Sequence, residues 1–239
     1  DLICAANVIC HIPDLENLFK SVDKCLNQKG LFIFEEPYLG SMFEKISYDQ
    51  IYDEHIFMFS TSSVQKICKL FDMELIDVLK QETHGGSLRY VCARKNAYSV
   101  KNNVSFFLGE ESKNNLDNIT SCLHFKKNCE NSKKNLVNKL LAFKEDNKKI
   151  CGYAATSKST TILNYCEIGT DVIDFICDTT PEKIGKFSPG KHIPIKSMDY
   201  FYENYPDVAF LFAWNHKNEI FEKEKEFSQK GKWIAHVDL

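Results

Sequence analysis

The chain has 239 residues, of which 44% are hydrophobic and 13% aromatic, so it carries enough apolar material for one large or two modest hydrophobic cores. This composition excludes a disordered chain and a small domain held together by disulfides. The 30 basic and 33 acidic residues give a formal net charge of −3. No overall positive field attracts nucleic acid or an anionic membrane, so an anionic ligand would need a local site.

Apolar runs are short and the cysteines are scattered. The run from Val208 to Trp214 is far shorter than the roughly 20 residues of a membrane-spanning helix, and no signal peptide opens the sequence. The ten cysteines include no Cys-x-x-Cys pair, which favours reduced core thiols over a zinc site or a disulfide framework. We therefore expect a cytoplasmic protein with no membrane segment and no metal site within this chain.

Strand-like and helix-like patterns alternate along the chain, which predicts an α/β fold with a largely parallel sheet. Residues 37–60 lack a clear period, hold many aromatic and ionisable side chains, and are predicted to form a functional loop. The other predicted elements of the first part are a strand at 1–7, a helix from Pro13 to Gly30, a strand at 31–34, a helix at 61–71, and strands at 74–79 and 87–93 around a turn at 84–86.

Residues 102–147 are predicted to form long amphipathic helix, because apolar side chains recur three and four positions apart among Lys, Asn and Glu. This helical connector leads into a second unit with its own alternating pattern. The predicted elements there are strands at 149–153, 172–177, 208–214 and 233–237 and helices at 157–166, 197–202 and 219–229. The domains are accordingly predicted at residues 1–97, 98–147 and 148–239.

The densest group of proton-exchanging side chains is Tyr52, Asp53, Glu54 and His55, which stands beside an apolar run. A histidine oriented by a carboxylate, with a phenol as hydrogen-bond donor, suits acid/base chemistry. The alternative for these residues is a hydrogen-bonded structural loop.

His11 follows the first predicted strand and precedes the first predicted helix. Ligands of open α/β sheets bind at this edge, so His11 is a second candidate for the site, the alternative being a partial helix cap. Glu35 and Glu36 end the next strand at the same edge, and we expect at least one of them to face the same cleft.

Residues 152–159 join a predicted strand to a helix with nearly the spacing of a phosphate-binding loop. Ser157 stands where the second glycine of such a loop belongs, which disfavours a triphosphate site. The helix N-terminus and Lys158 could still hold phosphates of a nucleotide, the alternative being an ordinary turn with an exposed lysine. Arg89, after the Gly85-Gly86 turn, could bind phosphate or carboxylate, or be a surface arginine.

These residues together resemble the S-adenosylmethionine-dependent C-methyltransferases that act on nucleotide-linked keto-deoxysugars. The resemblance covers nearly the whole chain. The motifs that carry it are, in order, Asp1-Leu2-Ile3, Asn7-Val8, His11, Pro13-Asp14, Tyr52-Asp53-Glu54-His55, Phe59-Ser60, His84-Gly85-Gly86-Ser87-Leu88-Arg89, Gly152-Tyr153, Lys158, Leu163-Asn164-Tyr165-Cys166, Asp178, Pro181, Lys183, Pro189-Gly190, His192-Ile193-Pro194-Ile195 and Ala213-Trp214-Asn215.

Members of that family consist of a cysteine-rich zinc-binding module, a class I methyltransferase domain and a Rossmann-like C-terminal domain. The resemblance implies that this chain holds the second half of the methyltransferase sheet, from its fourth strand at Asp1, followed by the smaller Rossmann-like α/β domain. The zinc module and the glycine-rich S-adenosylmethionine loop would then lie upstream of Asp1, and this chain alone would not transfer methyl groups. Ala154 and Ser159 stand where the family tends to have glycine.

The reaction implied by the resemblance begins at a sugar whose C4 ketone acidifies the C3 hydrogen. A base removes that hydrogen, and the resulting enolate attacks the sulfonium methyl group. The resemblance assigns the base to His55, with Glu54 orienting it or serving as the base itself. Tyr52 and His11 would polarise or stabilise the enolate oxygen.

The remaining roles concern binding. Ala6 and Asn7 would lie beside the methionine part of the cofactor, whereas Lys158, Arg89 and Asn164 would bind the nucleotide-diphosphate sugar. Two alternatives stay open, namely a sugar O-methyltransferase and a non-catalytic nucleotide-sugar-binding protein.

Overall fold

The computed structural model describes all 239 residues, which form two compact units. The first unit contains residues 1–45 and 53–125, and the second contains residues 46–52 and 126–239. Each unit has a β-sheet with helices, so the predicted α/β class is confirmed. Neither unit ends at residue 97 or 147, and the predicted domain ranges stay a prediction.

The sheet of the first unit has four strands in the order β1-β2-β4-β3. Strands β1 and β2 are parallel, and β4 is antiparallel to both β2 and β3. The elements of this unit are β1 (Leu2–Ala6), α1 (Leu15–Cys25), β2 (Leu31–Pro37), α2 (Leu39–Lys45), α3 (Thr61–Leu70), β3 (Met73–Gln81), β4 (Ser87–Arg94) and α4 (Asn102–Lys113).

The core of the first unit is built on aromatic residues of β2. Because side chains alternate along a strand, Phe32, Phe34 and Glu36 share one face of the sheet. The Phe34 ring packs 5.0 Å from the Phe32 ring and 5.1 Å from the Tyr90 ring, measured between centroids. Glu36 is thus carried into a buried position at the end of an apolar face.

The sheet of the second unit has five strands, all parallel, in the order β7-β6-β5-β8-β9. The chain first runs from β5 to one side and then returns to the other, so the strand order reverses between β5 and β8. The elements are β5 (Ile150–Tyr153), α6 (Ser157–Cys166), β6 (Phe175–Cys177), β7 (Ile195–Lys196), α7 (Met198–Glu203), β8 (Val208–Leu211), α8 (Lys217–Lys223), α9 (Lys225–Lys230) and β9 (Lys232–Ile234), with the long α5 (Ile119–Glu145) preceding them.

Residues 46–52 belong to the second unit, where the buried carboxylate of Asp49 contacts Trp214 and His236. Asp49 has no exposed surface. Its Oδ2 accepts a hydrogen bond of 2.7 Å from the Trp214 indole, and its Oδ1 lies 3.2 Å from His236 Nε2.

The structure corrects several predicted boundaries. The predicted loop at 37–60 contains the helix α2, and a short 3₁₀ turn at Tyr48–Gln50 follows it. The helical segment at 102–147 is two helices, α4 and α5, because Asn115 adopts the left-handed conformation with φ of 50°. The predicted helix at 219–229 is divided at Glu224, whose buried carboxylate accepts a 2.8 Å hydrogen bond from the Tyr153 hydroxyl.

The carboxyl ends of β1 and β5 are followed by the same backbone arrangement. After β1, Asn7 has φ of 53° and donates its N–H to the Glu35 carbonyl at 2.8 Å, and the next N–H, of Val8, donates to Glu36 Oε1 at 3.0 Å. The neighbouring parallel strand β2 therefore supplies first a carbonyl and then a carboxylate.

After β5, Ala154 has φ of 74° and donates its N–H to the Cys177 carbonyl at 2.9 Å. The next N–H, of Ala155, donates to Asp178 Oδ2 at 2.7 Å. Of the two left-handed residues, Asn7 and Ala154, alanine is the less suitable, because it has no polar side-chain group that could hydrogen-bond locally and compensate for the left-handed backbone.

We predict that Ala154→Gly leaves the protein at least as stable as wild type. The left-handed conformation costs an L-residue about 1–2 kcal/mol, which exceeds the roughly 0.5–1 kcal/mol of chain entropy that glycine adds to folding. Ala155, at negative φ, is the matched control, and Ala155→Gly should lower the free energy of unfolding by about 0.5–1 kcal/mol. Urea denaturation measures both, and an Ala154→Gly variant less stable than Ala155→Gly would contradict the strain argument.

Candidate functional site

The first candidate site lies at the carboxyl edge of β1 and β2. Ala6 ends β1 and pairs in register with Glu35 of β2, and Asn7 follows directly. The structure therefore places the two predicted cofactor-binding residues beside the two acidic residues that end β2. The buried Asn7 Oδ1 has no hydrogen-bond partner within the protein.

Glu36 fixes the backbone of this edge. It is fully buried, and its Oε1 accepts hydrogen bonds from the N–H groups of Val8 at 3.0 Å and Ile9 at 2.6 Å. Its Oε2 has no hydrogen-bond partner within the protein. The carboxylate holds the start of the 3₁₀ turn Ile9–His11, so it sets the position of His11.

The structure brings the predicted residues His11 and His55 together. Their ring centroids are 5.2 Å apart with an interplanar angle of 70°, and both side chains are half-buried. The backbone fixes the pair, because the N–H of Ile56 donates to the Cys10 carbonyl at 2.9 Å. Two imidazoles on different segments can therefore act on one ligand at this edge.

The other two predicted catalytic residues occupy different surroundings. Glu54 precedes His55 and is exposed. Tyr52 is half-buried and is the last residue of the segment 46–52, which belongs to the second unit. The catalytic roles of these four residues stay a prediction.

Cys10 is a member of this site that sequence reasoning missed. One ligand atom from each of Cys10, His11 and His55 lies within 4.8 Å of the other two. Burial and the neighbouring Glu36 carboxylate raise the pKa of the Cys10 thiol far above its ordinary value. The only signal in the sequence was the adjacency of Cys10 to His11.

Arg89 already has an anionic partner at the other face of β2. Its Nη2 lies 2.8 Å from Glu35 Oε2, and Thr83 Oγ1 donates to Glu35 Oε1 at 2.6 Å. Burial raises the pKa of Glu35, but hydrogen bonds from Thr83 and Arg89 outweigh it and the net pKa is lowered. The Arg89 side chain is 44% exposed, and a phosphate bound to its guanidinium would have to share it with Glu35.

The second candidate site lies at the carboxyl edge of the second sheet, where the strand order reverses between β5 and β8. Lys158, in the first turn of α6, donates to Asn215 Oδ1 at 3.1 Å and lies 5.0 Å above the Trp214 ring. Burial lowers the pKa of Lys158, and the charge of Asp49 opposes that shift. Lys158 is only 8% exposed, so the alternative of an exposed lysine is wrong. Ligands of open α/β sheets bind at such a reversal.

The start of α6 is satisfied by protein groups. Thr156 and Ser159 form a capping box in which each side chain binds the other residue's backbone N–H. Asp178 binds the Ala155 N–H and lies 3.4 Å from Lys183 Nζ. A phosphate at this edge would therefore be held by the Lys158 ammonium more than by the helix N-terminus.

Asn164 lies on the exposed side of the last turn of α6. Its Nδ2 donates to the carbonyls of Thr160 at 2.8 Å and Pro189 at 3.1 Å. Gly190, at φ of 79°, approaches so closely that an added Cβ would lie 2.0 Å from Asn164 Oδ1. Asn164 thus supports the 189–190 turn, and its predicted substrate contact stays a prediction.

We predict that Asp178→Asn lowers the free energy of unfolding at neutral pH by about 1–3 kcal/mol, because the buried acceptor of the Ala155 N–H loses its charge. Burial alone would raise the pKa of Asp178, but hydrogen bonds from Thr180 and Ala155 and the charge of Lys183 lower it below the ordinary 3.8. The lowered pKa gives stability that is complete above pH 3.8 and is lost as the pH falls through the folded value.

The difference in the free energy of unfolding between wild type and Asp178→Asn should therefore become smaller as the pH falls into the acidic range. Denaturation at a series of pH values measures it, with Asp171→Asn, at an exposed position, as the matched control. A difference that is unchanged in acid would show that the charge of Asp178 does not contribute.

Comparison with known proteins matches the chain to two family models, and the boundary between them, between residues 78 and 82, falls inside the first unit. Residues 82–237 match a family model described as the C-methyltransferase C-terminal domain, and residues 1–78 match a model described as a methyltransferase domain. The chain is 32% identical over 234 residues to the C-methyltransferase NovU of Streptomyces niveus. That match covers 96% of this chain and 55% of the relative, so the chain spans about half the relative's length. No helix in the structure combines the length and apolar character needed to cross a membrane.

Proposed function

Since the chain belongs to the C-methyltransferase family, we propose that it acts in S-adenosylmethionine-dependent C-methylation of a nucleotide-linked 4-keto-deoxysugar through a base-generated enolate. The observation that carries the proposal is the His11–His55 pair at the carboxyl edge of β1 and β2, 5.2 Å between ring centroids. Enolate chemistry needs a base and a hydrogen-bond donor close to each other, and two imidazoles supply both functions.

The residues at the end of β1 fit a cofactor with a charged amino-acid part. Asn7 Oδ1 is buried without a hydrogen-bond partner within the protein. Buried acceptors of this kind are expected to receive a donor such as an ammonium group. Ala6, with its small side chain, and Asn7 would hold the methionine part. When bound, S-adenosylmethionine supplies an electrophilic methyl group.

His55 takes the base role in the proposed reaction. Its imidazole removes the C3 proton that the neighbouring C4 ketone has acidified, and the electron pair of that C–H bond moves into the enolate. Exposed Glu54 stands next to it in the chain and either orients the imidazole or replaces it as base. His11 and Tyr52 donate hydrogen bonds to the enolate oxygen as its negative charge develops.

The diphosphate of the nucleotide sugar is assigned to the second unit. Lys158 carries a buried ammonium group that donates a hydrogen bond to the neutral amide oxygen of Asn215. A buried ammonium gains much from an anionic ligand, because attraction between opposite charges is strong away from water. Asn164 and the half-exposed Arg89 are assigned as further substrate contacts.

We predict that this chain catalyses exchange of the C3 hydrogen of a 4-keto sugar nucleotide in deuterated water without any cofactor. Proton removal needs only the base and the bound sugar, so the exchange rate should exceed that in buffer. His55→Gln should lower the rate by about 10²–10⁴-fold, the usual contribution of a positioned base. Nuclear magnetic resonance of the C3 hydrogen gives the rate.

The matched variant is Glu54→Gln, which should reduce exchange less than His55→Gln if Glu54 orients the base. The reverse order would assign the base to Glu54. Wild-type exchange in His55→Gln would remove His55 from the mechanism, and a bound sugar that never exchanges would favour O-methylation.

We predict that Lys158→Met weakens the binding of a nucleoside diphosphate by at least about tenfold, since one charge-assisted hydrogen bond contributes about 1.5–3 kcal/mol. Isothermal titration calorimetry measures the dissociation constant. Lys149→Met, an exposed lysine just before β5, is the matched control and should leave affinity unchanged. Equal affinities of wild type and Lys158→Met would place the diphosphate elsewhere.

A further inference from the structure

A cysteine and two histidines from separate segments converge at the carboxyl edge of β1. One ligand atom from each of Cys10, His11 and His55 lies within 4.8 Å of the other two. Thiolate sulfur and imidazole nitrogen are the ligands that Zn²⁺ prefers, and three protein ligands with one open position form a common zinc arrangement. We infer that Cys10, His11 and His55 form a binding site for a thiophilic divalent cation of the Zn²⁺ class.

The backbone around the three ligands is fixed on both sides. Glu36 Oε1 accepts the Ile9 N–H at 2.6 Å, and the Cys10 carbonyl accepts the N–H groups of Ile56 at 2.9 Å and Phe57 at 3.3 Å. These bonds join the Cys10–His11 segment directly to the segment that follows His55. The three ligands are therefore held near one another before a cation binds, which lowers the entropy cost of binding.

The side chains need only small movements to reach ligating distances. Tetrahedral Zn²⁺ lies about 2.3 Å from sulfur and about 2.0 Å from nitrogen, so the ligand atoms must approach one another by roughly 1 Å. Rotation of the half-buried His11 and His55 rings provides this movement, whereas buried Cys10 stays in place.

Binding replaces the thiol proton of Cys10 with the cation, and the released proton passes to solvent. Both imidazoles bind as neutral rings through a nitrogen lone pair. Water from solvent completes the fourth position.

Cobalt(II) titration of the 239-residue chain, with Co²⁺ as a visible substitute for Zn²⁺, tests the site. We expect one Co²⁺ per chain, with a thiolate-to-cobalt charge-transfer band and visible absorption of tetrahedral intensity that Zn²⁺ abolishes by displacement. Cys10→Ser should remove the charge-transfer band. His11→Gln and His55→Gln should each weaken Co²⁺ binding by at least about tenfold, the lower end of the loss seen when groups around a metal site are removed.

The matched controls are Cys4→Ser and His124→Gln, which change exposed residues outside the cluster and should leave the titration unchanged. Because Cys10 is buried, the thermal unfolding of Cys10→Ser is measured as well, and the two histidine variants test the site independently of that substitution. A charge-transfer band that persists in Cys10→Ser or disappears in Cys4→Ser would overturn the inference, as would a wild-type chain that binds no Co²⁺.

A consequence for activity rests on the proposed function. A cation on His55 occupies the lone pair that the base needs, so Zn²⁺ should inhibit the deuterium exchange, and a chelator should restore it. Different outcomes contradict the metal site and the base role of His55. Cobalt bound at the three residues without inhibition would contradict the base role of His55, whereas exchange that needs His55 in a chain that binds no cobalt would contradict the metal site.

Discussion

Both units depend on a buried carboxylate that binds the backbone of a strand-to-helix turn. Glu36 accepts the Val8 and Ile9 N–H groups beside β1, and Asp178 accepts the Ala155 N–H beside β5. A buried N–H without a partner costs about 1–3 kcal/mol, and a charged acceptor binds it more strongly than a neutral one. Because Glu36 lies in the neighbouring parallel strand β2 and Asp178 directly follows the neighbouring parallel strand β6, the pairing of two strands also fixes the turn that carries the site.

These carboxylates decide which groups stay available for a ligand. Asp178 accepts the Ala155 N–H beside the start of α6, and Glu35 pairs with Arg89. The Ala155 N–H and the Arg89 guanidinium, which could otherwise bind phosphate, therefore already have protein partners. The other candidate groups at these edges are the imidazoles of His11 and His55 in the first unit and the buried ammonium of Lys158 in the second. Acid/base chemistry is therefore favoured in the first unit, and anion binding in the second.

Periodicity predicted most strands and helices, because these are properties of neighbouring residues, and it placed His11 at the correct sheet edge. It missed Cys10 because His55, the third member of that cluster, is brought there by hydrogen bonds between segments far apart in the chain. The burial of Lys158 was missed for the same reason, since Trp214 and Asn215, which cover it, are more than fifty positions away. Local patterns identify the candidate residues, and tertiary contacts decide their ionisation and accessibility.

The spacing of the two imidazoles also favours a division of labour in the proposed reaction. When His55 accepts the C3 proton in that reaction it becomes positively charged, and His11, 5.2 Å away between ring centroids, donates an N–H hydrogen bond to the enolate oxygen. The charge on His55 and that N–H group act together on the negative oxygen, and both interactions strengthen as the enolate forms. Stabilisation that grows towards the transition state is what accelerates a reaction.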